Sequence, residues 1–197
     1  MKSILIIGLG RFGRHLCRKF MSLNNEVMIV DRDEAAVTAL ADEVTSAQIA
    51  DCTDENALRA LGVKNFDLCF VCIGSDFASS LLITSTLKEM GAARVVAKAA
   101  RDVHAKLLLR NGADEVVYPE RDSAERLATR LSAQNVFDYI ELTDEYSIYE
   151  IAPMENWVGR SVREVDVRNK YHINILAVKE DGALKPLPGG DYVFTGR

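Results

Sequence analysis

The first 13 residues constrain the fold of this chain most, because they join an apolar strand to a glycine-rich turn. Residues 3–7 are apolar without alternation, which is typical of a strand buried on both faces of a parallel sheet. In the turn that follows, Gly8 permits a tight bend, Gly10 lets the backbone approach a phosphate, and Gly13 lets the next helix pack against the strand. This order predicts a nucleotide-binding start, with helix amides facing the anion. A glycine-rich turn without a ligand is the alternative.

Two charged residues indicate which nucleotide would bind. Asp31 closes the second predicted strand, where a carboxylate accepts hydrogen bonds from both hydroxyls of an adenosine ribose and repels a 2′-phosphate. It therefore favours NAD, ATP or ADP over NADP, unless it is only a capping or turn acid. Arg11 lies inside the glycine turn, and its positive charge suits a polyphosphate such as the tail of ATP. A pyrophosphate carries only two charges, and the backbone amides and dipole of the helix can bind it without an arginine. A surface arginine or an interface salt bridge is the alternative for Arg11.

Further polar residues follow the later strands at their carboxyl ends, where ligands bind in open α/β sheets. Asp51 and Thr53 follow the third predicted strand and would border the adenine pocket. Each such residue alone is more often structural than functional, but their shared placement predicts that several of them line one cleft. The other members of this set are Gly74, Ser75, Lys98, Glu120 and Arg121.

Strand and helix patterns alternate over the first 120 residues and predict an α/β fold, a Rossmann-type doubly wound parallel sheet. The predicted strands are 3–7, 26–31, 45–50, 67–73, 94–98 and 115–118. Helices are expected between them. A further helix over 122–135 would let Leu127, Leu131 and Phe137 dock on the sheet or on another subunit.

From Ile140 the pattern changes to short β-rich pieces and predicts a small C-terminal α+β domain. Residues 146–151 and 173–179 are expected strands, and Asp181-Gly182 is typical of a hairpin turn. We therefore expect a Rossmann domain at 1–121, a linking helix at 122–138 and a second domain at 139–197. This second domain is expected to be incomplete as given, or to be completed by a neighbouring subunit.

Composition excludes several classes of protein. The net charge of −5 lacks the basic field of a duplex-DNA binder. No apolar run approaches the roughly 20 residues that span a bilayer, and the first strand is too short for a signal peptide. We therefore expect a cytoplasmic protein that meets a membrane only through a partner.

The cysteines are expected to be small apolar core residues of a reduced cytosolic protein. Two of them match a CxxC pattern, but positions three apart on a strand point to opposite faces, so a shared metal or a redox pair is not expected. The three histidines are far apart and show no ligand-like spacing. The four cysteines are Cys17, Cys52, Cys69 and Cys72.

The sequence offers few catalytic residues. None of the six tyrosines has a lysine four residues later, as a short-chain dehydrogenase requires, and no GxSxG or HExxH motif is present. Only about 60 residues remain after the Rossmann domain, too few for an ordinary substrate domain. We predict that the nucleotide is a signal rather than a reagent. An NAD(H)-dependent oxidoreductase, which Asp31 would suit, and a redox-sensing repressor, which would need a basic face, are the alternatives.

In several segments the chain resembles the RCK (regulator of potassium conductance) family of the KtrA and TrkA type. The segments are GLGRFG at 8–13, VD at 30–31, ADCT at 50–53, IGS at 73–75, VAK at 96–98 and GADEVVYPERD at 112–122. The similarity covers nearly the whole chain, the second unit resembling the family's C-terminal domain. It implies a non-enzymatic regulatory subunit at the inner face of the cell membrane. Such subunits form homo-oligomers, often octameric rings, which gate a potassium channel or transporter when a nucleotide changes the ring's shape.

The resemblance also implies binding residues. Arg11 would contact the terminal phosphates of ATP, and Glu120 would hold a divalent cation, Mg or Ca, beside the nucleotide. The C-terminal domain of some members binds cyclic di-AMP in a cleft between two subunits. The residues of this chain that look similar to that cleft are Arg168, Asn174, Ile175 and Pro188. Alternatively, Ile175 is only a core residue of a strand and Pro188 is only a turn residue. The residues implied for ATP or ADP, or for NAD or NADH, are Gly8, Gly10, Arg11, Phe12, Gly13, Asp31, Arg32, Asp51, Cys52, Thr53, Gly74, Ser75, Lys98 and Glu120.

Overall fold

A computed structural model of the chain describes residues 1–132, 136–143 and 145–196. The chain forms two compact units, Met1–Ser123 and Ala124–Arg197. Among the described residues, no helix is both long and apolar enough to cross a lipid bilayer. The domain boundaries at residues 121 and 138 stay predictions.

The first unit is built on a parallel sheet of six strands, which confirms the predicted Rossmann class. The strands are β1 (Ser3–Ile7), β2 (Glu26–Asp31), β3 (Ser46–Ile49), β4 (Leu68–Val71), β5 (Val95–Lys98) and β6 (Glu115–Val117). Their order is β3-β2-β1-β4-β5-β6, so the chain winds outward from β1 in both directions. Between β1 and β4 the strand order reverses, and open α/β sheets bind ligands at the carboxyl ends of such neighbours.

Two apolar clusters pack the sheet against its helices. Side chains alternate along β1, so Ile4 and Ile6 join one cluster while Leu5 and Ile7 join the other. Helices α1 and α2 contribute to the first cluster, and α3, α4 and α5 to the second. The helices are α1 (Arg11–Ser22), α2 (Glu34–Thr38), α3 (Glu55–Ala60), α4 (Phe77–Glu89) and α5 (Asp102–Arg110), with short 3₁₀ turns at Ala41–Glu43 and Val63–Asn65.

The glycine turn brings α1 as close to β1 as the backbone allows. Gly8 has a φ of +96°, a conformation that side chains strongly disfavour. A Cβ atom on Gly13 would overlap the carbonyl oxygen of Gly8 and touch the Cys72 side chain. By contrast, a Cβ on Gly10 would meet no atom within 4 Å. The turn therefore needs glycine at its two ends for packing, while its middle glycine borders open space.

The helix that leads out of the first unit, α6 (Pro119–Ser132), begins earlier than predicted. It starts at Pro119 rather than at Asp122, because the fixed φ of proline and its missing N–H suit the first position of a helix. The last residues of the predicted helix, 133–135, lie outside the described residues. The side chains of Leu127, Leu131 and Phe137, expected to dock, are exposed in the single chain, by 47%, 72% and 59%.

The described part of the second unit has two antiparallel hairpins and two short helices, and a small aromatic core packs against the two helices. Its elements are β7 (Val136–Glu141), β8 (Ser147–Ile151), α7 (Val162–Val165), α8 (Val167–Tyr171), β9 (Ala177–Glu180) and β10 (Ala183–Pro186). Trp157 and Phe194 are buried with their ring centres 5.2 Å apart. Asp181 and Gly182 both have positive φ, as the predicted hairpin turn between β9 and β10 requires.

The predicted strand over 173–179 is wrong in its first half. The chain leaves α8 through His172, which has a φ of +56° and turns the backbone, and regular pairing starts only at Ala177. The two helices α7 and α8 were not predicted. Ser161 and Glu164 form a complete capping box at the start of α7, so the sequence contained that helix's start signal.

The close contact at Gly13 predicts a large difference between two alanine substitutions. Gly13→Ala should lower the free energy of unfolding by about 3 kcal/mol, because the new methyl group overlaps backbone that cannot move independently. Gly10→Ala should cost less than about 1 kcal/mol, because its methyl group enters open space. Urea unfolding of both variants measures this difference. Equal losses of stability would contradict the packing described for the turn.

Candidate functional site

A cleft of about 230 Å³ opens at the carboxyl edge of the sheet, and the ends of β1, β2, β3 and β4 contribute to its lining. The residues from the predicted nucleotide set that line it are Gly8, Gly10, Asp31, Arg32, Asp51, Cys52, Thr53, Gly74 and Ser75. The remaining lining residues are Ile7, Ala50, Cys72, Ile73, Asp76, Ser79 and Ile83. The cleft therefore combines an apolar floor with polar groups at the strand ends, as small-molecule sites do.

The N-terminus of α1 lies at this cleft, whose lining includes Gly10. Gly10 is the N-cap residue and supplies no side-chain cap, and the first turn of the helix carries no acidic residue. The amides of this turn therefore have no side chain competing for them, and the helix dipole adds positive potential. Since Gly10 leaves open space beside the backbone, a phosphate group can approach these amides directly.

Asp31 connects the glycine turn to the second strand. Its Oδ2 accepts a hydrogen bond from the Leu9 amide at 2.6 Å, and its Oδ1 accepts one from the Asp33 amide at 3.0 Å. Each carboxylate oxygen still has a second lone pair, and Asp31 lines the cleft. The same carboxylate can therefore accept hydrogen bonds from ribose hydroxyls while it holds the turn in place.

The turn after β3 is held by its own side chains. The hydroxyl and the amide of Thr53 both donate to Asp51 Oδ1, at 2.7 and 2.9 Å. These hydrogen bonds, the hydroxyl's first, lower the pKa of the Asp51 carboxyl, and Arg32 adds a weaker effect in the same direction. Asp51 is therefore an ionised acceptor at neutral pH on the rim of the cleft.

Sequence reasoning missed Asp76 and Ser79, which also line the cleft, at the start of α4. Asp76 is the N-cap residue, and its carboxylate accepts from the amide and the hydroxyl of Ser79 at 3.1 and 2.6 Å. An aspartate between a strand end and a helix is a typical N-cap, so the sequence did contain the necessary signal. What it did not show is that this helix start lines the same cleft as the glycine turn.

Five of the predicted residues, Arg11, Phe12, Gly13, Lys98 and Glu120, are not part of the cleft's lining. Lys98 Nζ lies 2.8 Å from Glu120 Oε1 and 6.0 Å from the centre of the Phe12 ring. The pKa of Glu120 is lowered, first by the hydrogen bond from Lys98 and more weakly by the charge of Arg11. The charged groups of this set therefore form a cluster next to the first turn of α1.

The residues implied for cyclic di-AMP lie in the second unit. Arg168 lies on α8 and is exposed, as is Asn174 in the segment that follows. Ile175 is half-buried against the aromatic core and is not part of a strand. The hydrogen bond from the Leu187 amide to the Leu176 carbonyl, 2.8 Å, sets the segment of Asn174 and Ile175 beside Pro188.

The cysteines are core residues, as predicted. Cys69 and Cys72 belong to the clusters on opposite faces of the sheet, and all four thiols are free and buried. Burial raises the pKa of Cys52, Cys69 and Cys72 to about 12. Within residues 1–132, 136–143 and 145–196, no three His, Cys, Asp or Glu side chains are arranged to hold a metal ion.

Two protein-family models match this chain. The model of the TrkA-N domain matches residues 4–119, and that of the TrkA-C domain matches residues 146–196. The chain belongs to the TrkA-N family. This family assignment confirms the resemblance seen in the sequence.

Two Bacillus subtilis (strain 168) relatives are similar to this TrkA-N chain over most of their length. The Ktr system potassium uptake protein C is 43% identical over 178 residues, which cover 90% of this chain and 80% of the relative. The Ktr system potassium uptake protein A is 40% identical over 189 residues, with 95% and 85% covered. The chain is therefore homologous to Ktr potassium uptake proteins.

Solved structures support the fold. The GsuK channel bound to NAD superposes with a TM-score of 0.72 at 22% identity, over 99% of this chain and 36% of that chain. GsuK bound to ADP superposes with a TM-score of 0.58 at 23% identity, over 66% of this chain and 34% of that chain. At this level of identity the similarity shows that the fold is shared.

The raised thiol pKa values predict slow alkylation of the folded chain. A pKa of about 12 instead of 9.0 lowers the thiolate population near pH 8 about a thousandfold, and only the thiolate reacts. Modification by a maleimide, followed by mass spectrometry, should therefore be at least about a hundredfold slower in buffer than in concentrated urea. Equal rates in the two solutions would contradict the burial of these thiols.

Proposed function

We propose that this chain is a nucleotide-sensing regulatory subunit that gates a membrane potassium channel or transporter. Homology to Ktr potassium uptake proteins supports the transport role, and the cleft at the carboxyl edge of the sheet supports the sensing role. The subunit would work in the cytoplasm, at the inner face of the membrane, through a membrane partner of the Ktr or Trk type.

The observation that carries the sensing role is the juxtaposition of Asp31 with the uncapped first turn of α1. A nucleoside placed in the cleft would direct its ribose hydroxyls to Asp31 and its phosphates to the helix amides. The adenine would lie toward Asp51 and Thr53, and Gly74 and Ser75 would border the phosphates. GsuK, which shares the fold, is described as bound to NAD and to ADP, which supports an adenine nucleotide here.

Within this proposal ATP and ADP are favoured over NAD and NADH. Arg11 and Lys98 add positive charge beside the first turn of α1, more than a pyrophosphate with two charges needs. ATP would engage Arg11 through its terminal phosphate and ADP would not. This difference in affinity is what a two-state switch requires, because a ligand shifts a conformational equilibrium only by binding the two states unequally.

A homo-oligomer, assembled from dimers into an octameric ring, is the proposed working form. Large apolar side chains of the second unit, among them Leu131, Phe137 and Ile140, are exposed by more than half in the single chain. Large apolar side chains that are exposed in a single chain would be covered if this unit packed against another subunit. Contact of Arg11 with a neighbour's nucleotide would then couple binding to ring shape.

The resemblance to the family also suggests two further ligands, a divalent cation and cyclic di-AMP. Glu120 as a binder of Mg or Ca does not fit a single chain, because no metal cluster exists among the described residues. Cyclic di-AMP would use Arg168, Asn174, Ile175 and Pro188, and the exposed polar side chains of Arg168 and Asn174 suit a shared cleft between two subunits.

We propose that the bound nucleotide is an effector and that the protein is not an enzyme. Asp31 would equally suit an NAD(H)-dependent oxidoreductase, the alternative function. Hydride turnover with a small substrate distinguishes the two, whereas NADH binding alone does not, since an effector can also bind.

The role of Arg11 is tested by binding series with ATP, ADP, NADH and cyclic di-AMP. ATP and ADP should raise the melting temperature, because both bind the folded state. Arg11→Ala should remove the preference for ATP over ADP, a loss of about tenfold, since a charge-assisted contact to the terminal phosphate disappears.

Arg18→Ala is the matched control, because Arg18 lies on the same helix and pairs with Glu43 instead. It should keep the wild-type preference. An unchanged preference in Arg11→Ala would remove the proposed role of that arginine, and no stabilisation by any adenine nucleotide would refute the sensing function.

A further inference from the structure

The backbone of the glycine turn is held by two charged side chains that bind the two backbone polar groups of Leu9. The Leu9 amide donates to Asp31 Oδ2, and the Leu9 carbonyl accepts a hydrogen bond from Arg14 Nε at 2.6 Å. The Leu9 side chain is buried, so this residue cannot turn as a whole. Asp31 therefore fixes the peptide group before Leu9, and Arg14 fixes the peptide group that follows it.

The hydrogen bond from Arg14 also sets the direction of the Gly10 amide. The Leu9 carbonyl and the Gly10 N–H belong to the same trans peptide group and therefore point in opposite directions. Arg14 lies outside the lining of the cleft, whereas Gly10 is part of that lining. Among the residues that the structure describes, no acceptor pairs with the Gly10 N–H. This amide therefore points away from the guanidinium group of Arg14 and can donate to a bound anion.

Glycine at position 10 makes this peptide group easy to reverse. The φ of Gly10 is −63°, and turning the preceding peptide group over would move it to roughly +120°, a value that glycine adopts readily. The rotation leaves the buried Leu9 side chain in place, and the space beside Gly10 is open. A reversed peptide group would turn the Leu9 carbonyl oxygen, a partial negative charge, toward a bound phosphate. The hydrogen bond from Arg14 opposes this reversal, because it holds that carbonyl.

We propose that Arg14 is a positioning residue for nucleotide phosphates, which locks the Leu9–Gly10 peptide group with its N–H toward the cleft. The inference rests on the proposed function, since it requires a nucleotide with its phosphates at the first turn of α1. The hydrogen bond carries this role, and the positive charge of Arg14 is not needed for it. A chain without this bond divides between two peptide orientations, and its apparent affinity for phosphates falls with the fraction that is competent to bind.

Two substitutions separate the hydrogen bond of Arg14 from its charge. The amide nitrogen of a glutamine side chain lies as many bonds from Cα as the arginine Nε, so Arg14→Gln keeps a donor for the Leu9 carbonyl and loses the charge. Arg14→Met has a methyl group at that place and loses both. Because Arg14 is exposed, both variants should fold. Arg18→Met is the matched control, since it removes an arginine of the same helix that pairs with Glu43 instead.

Calorimetric titration of the full chain with ADP and with adenosine tests this role. Arg14→Met should bind ADP about tenfold more weakly than the unmodified chain, because part of the population turns a carbonyl toward the phosphates. Its affinity for adenosine should change less than about twofold, since adenosine carries no phosphate. Arg14→Gln should bind ADP within about threefold of the unmodified chain, because it keeps the hydrogen bond. Arg18→Met should leave both affinities unchanged.

An equal loss of ADP affinity in Arg14→Gln and Arg14→Met would show that the charge acts on the ligand directly, and would overturn the positioning role. Unchanged ADP binding by Arg14→Met would overturn it as well, because the bond to the Leu9 carbonyl would then have no effect on the ligand. A parallel loss of adenosine binding would show general damage to the cleft and count against the proposal in the same way. Failure of the unmodified chain to bind ADP would instead refute the proposed function, and this inference with it.

Discussion

The contact between Gly13 and the carbonyl of Gly8 is the constraint on which the rest of the first unit depends. It lets α1 begin directly over the carboxyl end of β1, so the free amides of the helix lie at the sheet edge. Asp31 then fixes the turn from the side by accepting the Leu9 amide. A bulkier residue at position 13 would push the helix and its free amides away from the edge of the sheet.

The charged side chains around this turn fall into two groups, one that lines the cleft and one that lies outside its lining. Asp31 and Asp51 lie on the cleft wall, where they suit neutral hydroxyl and amine donors. Arg11 lies in the first turn of α1, outside the lining of the cleft, and its charge reaches Glu120, which pairs with Lys98. In the proposed binding mode, different residues therefore recognise the nucleoside and the phosphate chain, as a sensor of phosphate number would require.

The fold of the first unit could be predicted from the sequence because the patterns that indicate it each involve residues close together in the chain. The glycine spacing, the apolar run of β1 and the acid at the end of β2 each lie within a few residues, and the sheet order follows from the alternation of strands and helices. The pairing of Lys98 with Glu120 could not be predicted, since it joins the end of β5 to α6 across a separation that only packing closes. The same holds for the placement of Asp76 in the same cleft as the glycine turn.

The second unit was predicted less well for a related reason. Its elements are four to six residues long, too short for periodicity to separate a strand from an irregular segment, as the error over 173–176 shows. The Asp181-Gly182 turn was predictable because its conformation depends on two residues alone. The aromatic core around Trp157 gathers residues from 157 to 194, which no local pattern reveals.

Small-angle scattering of the assembled protein, saturated first with ATP and then with ADP, tests the central claim most directly. If the chain senses phosphate number, the two nucleotides should give the same mass but different scattering profiles, because they stabilise different shapes of one oligomer. Superimposable profiles at saturation, with binding of both nucleotides established, would contradict the account.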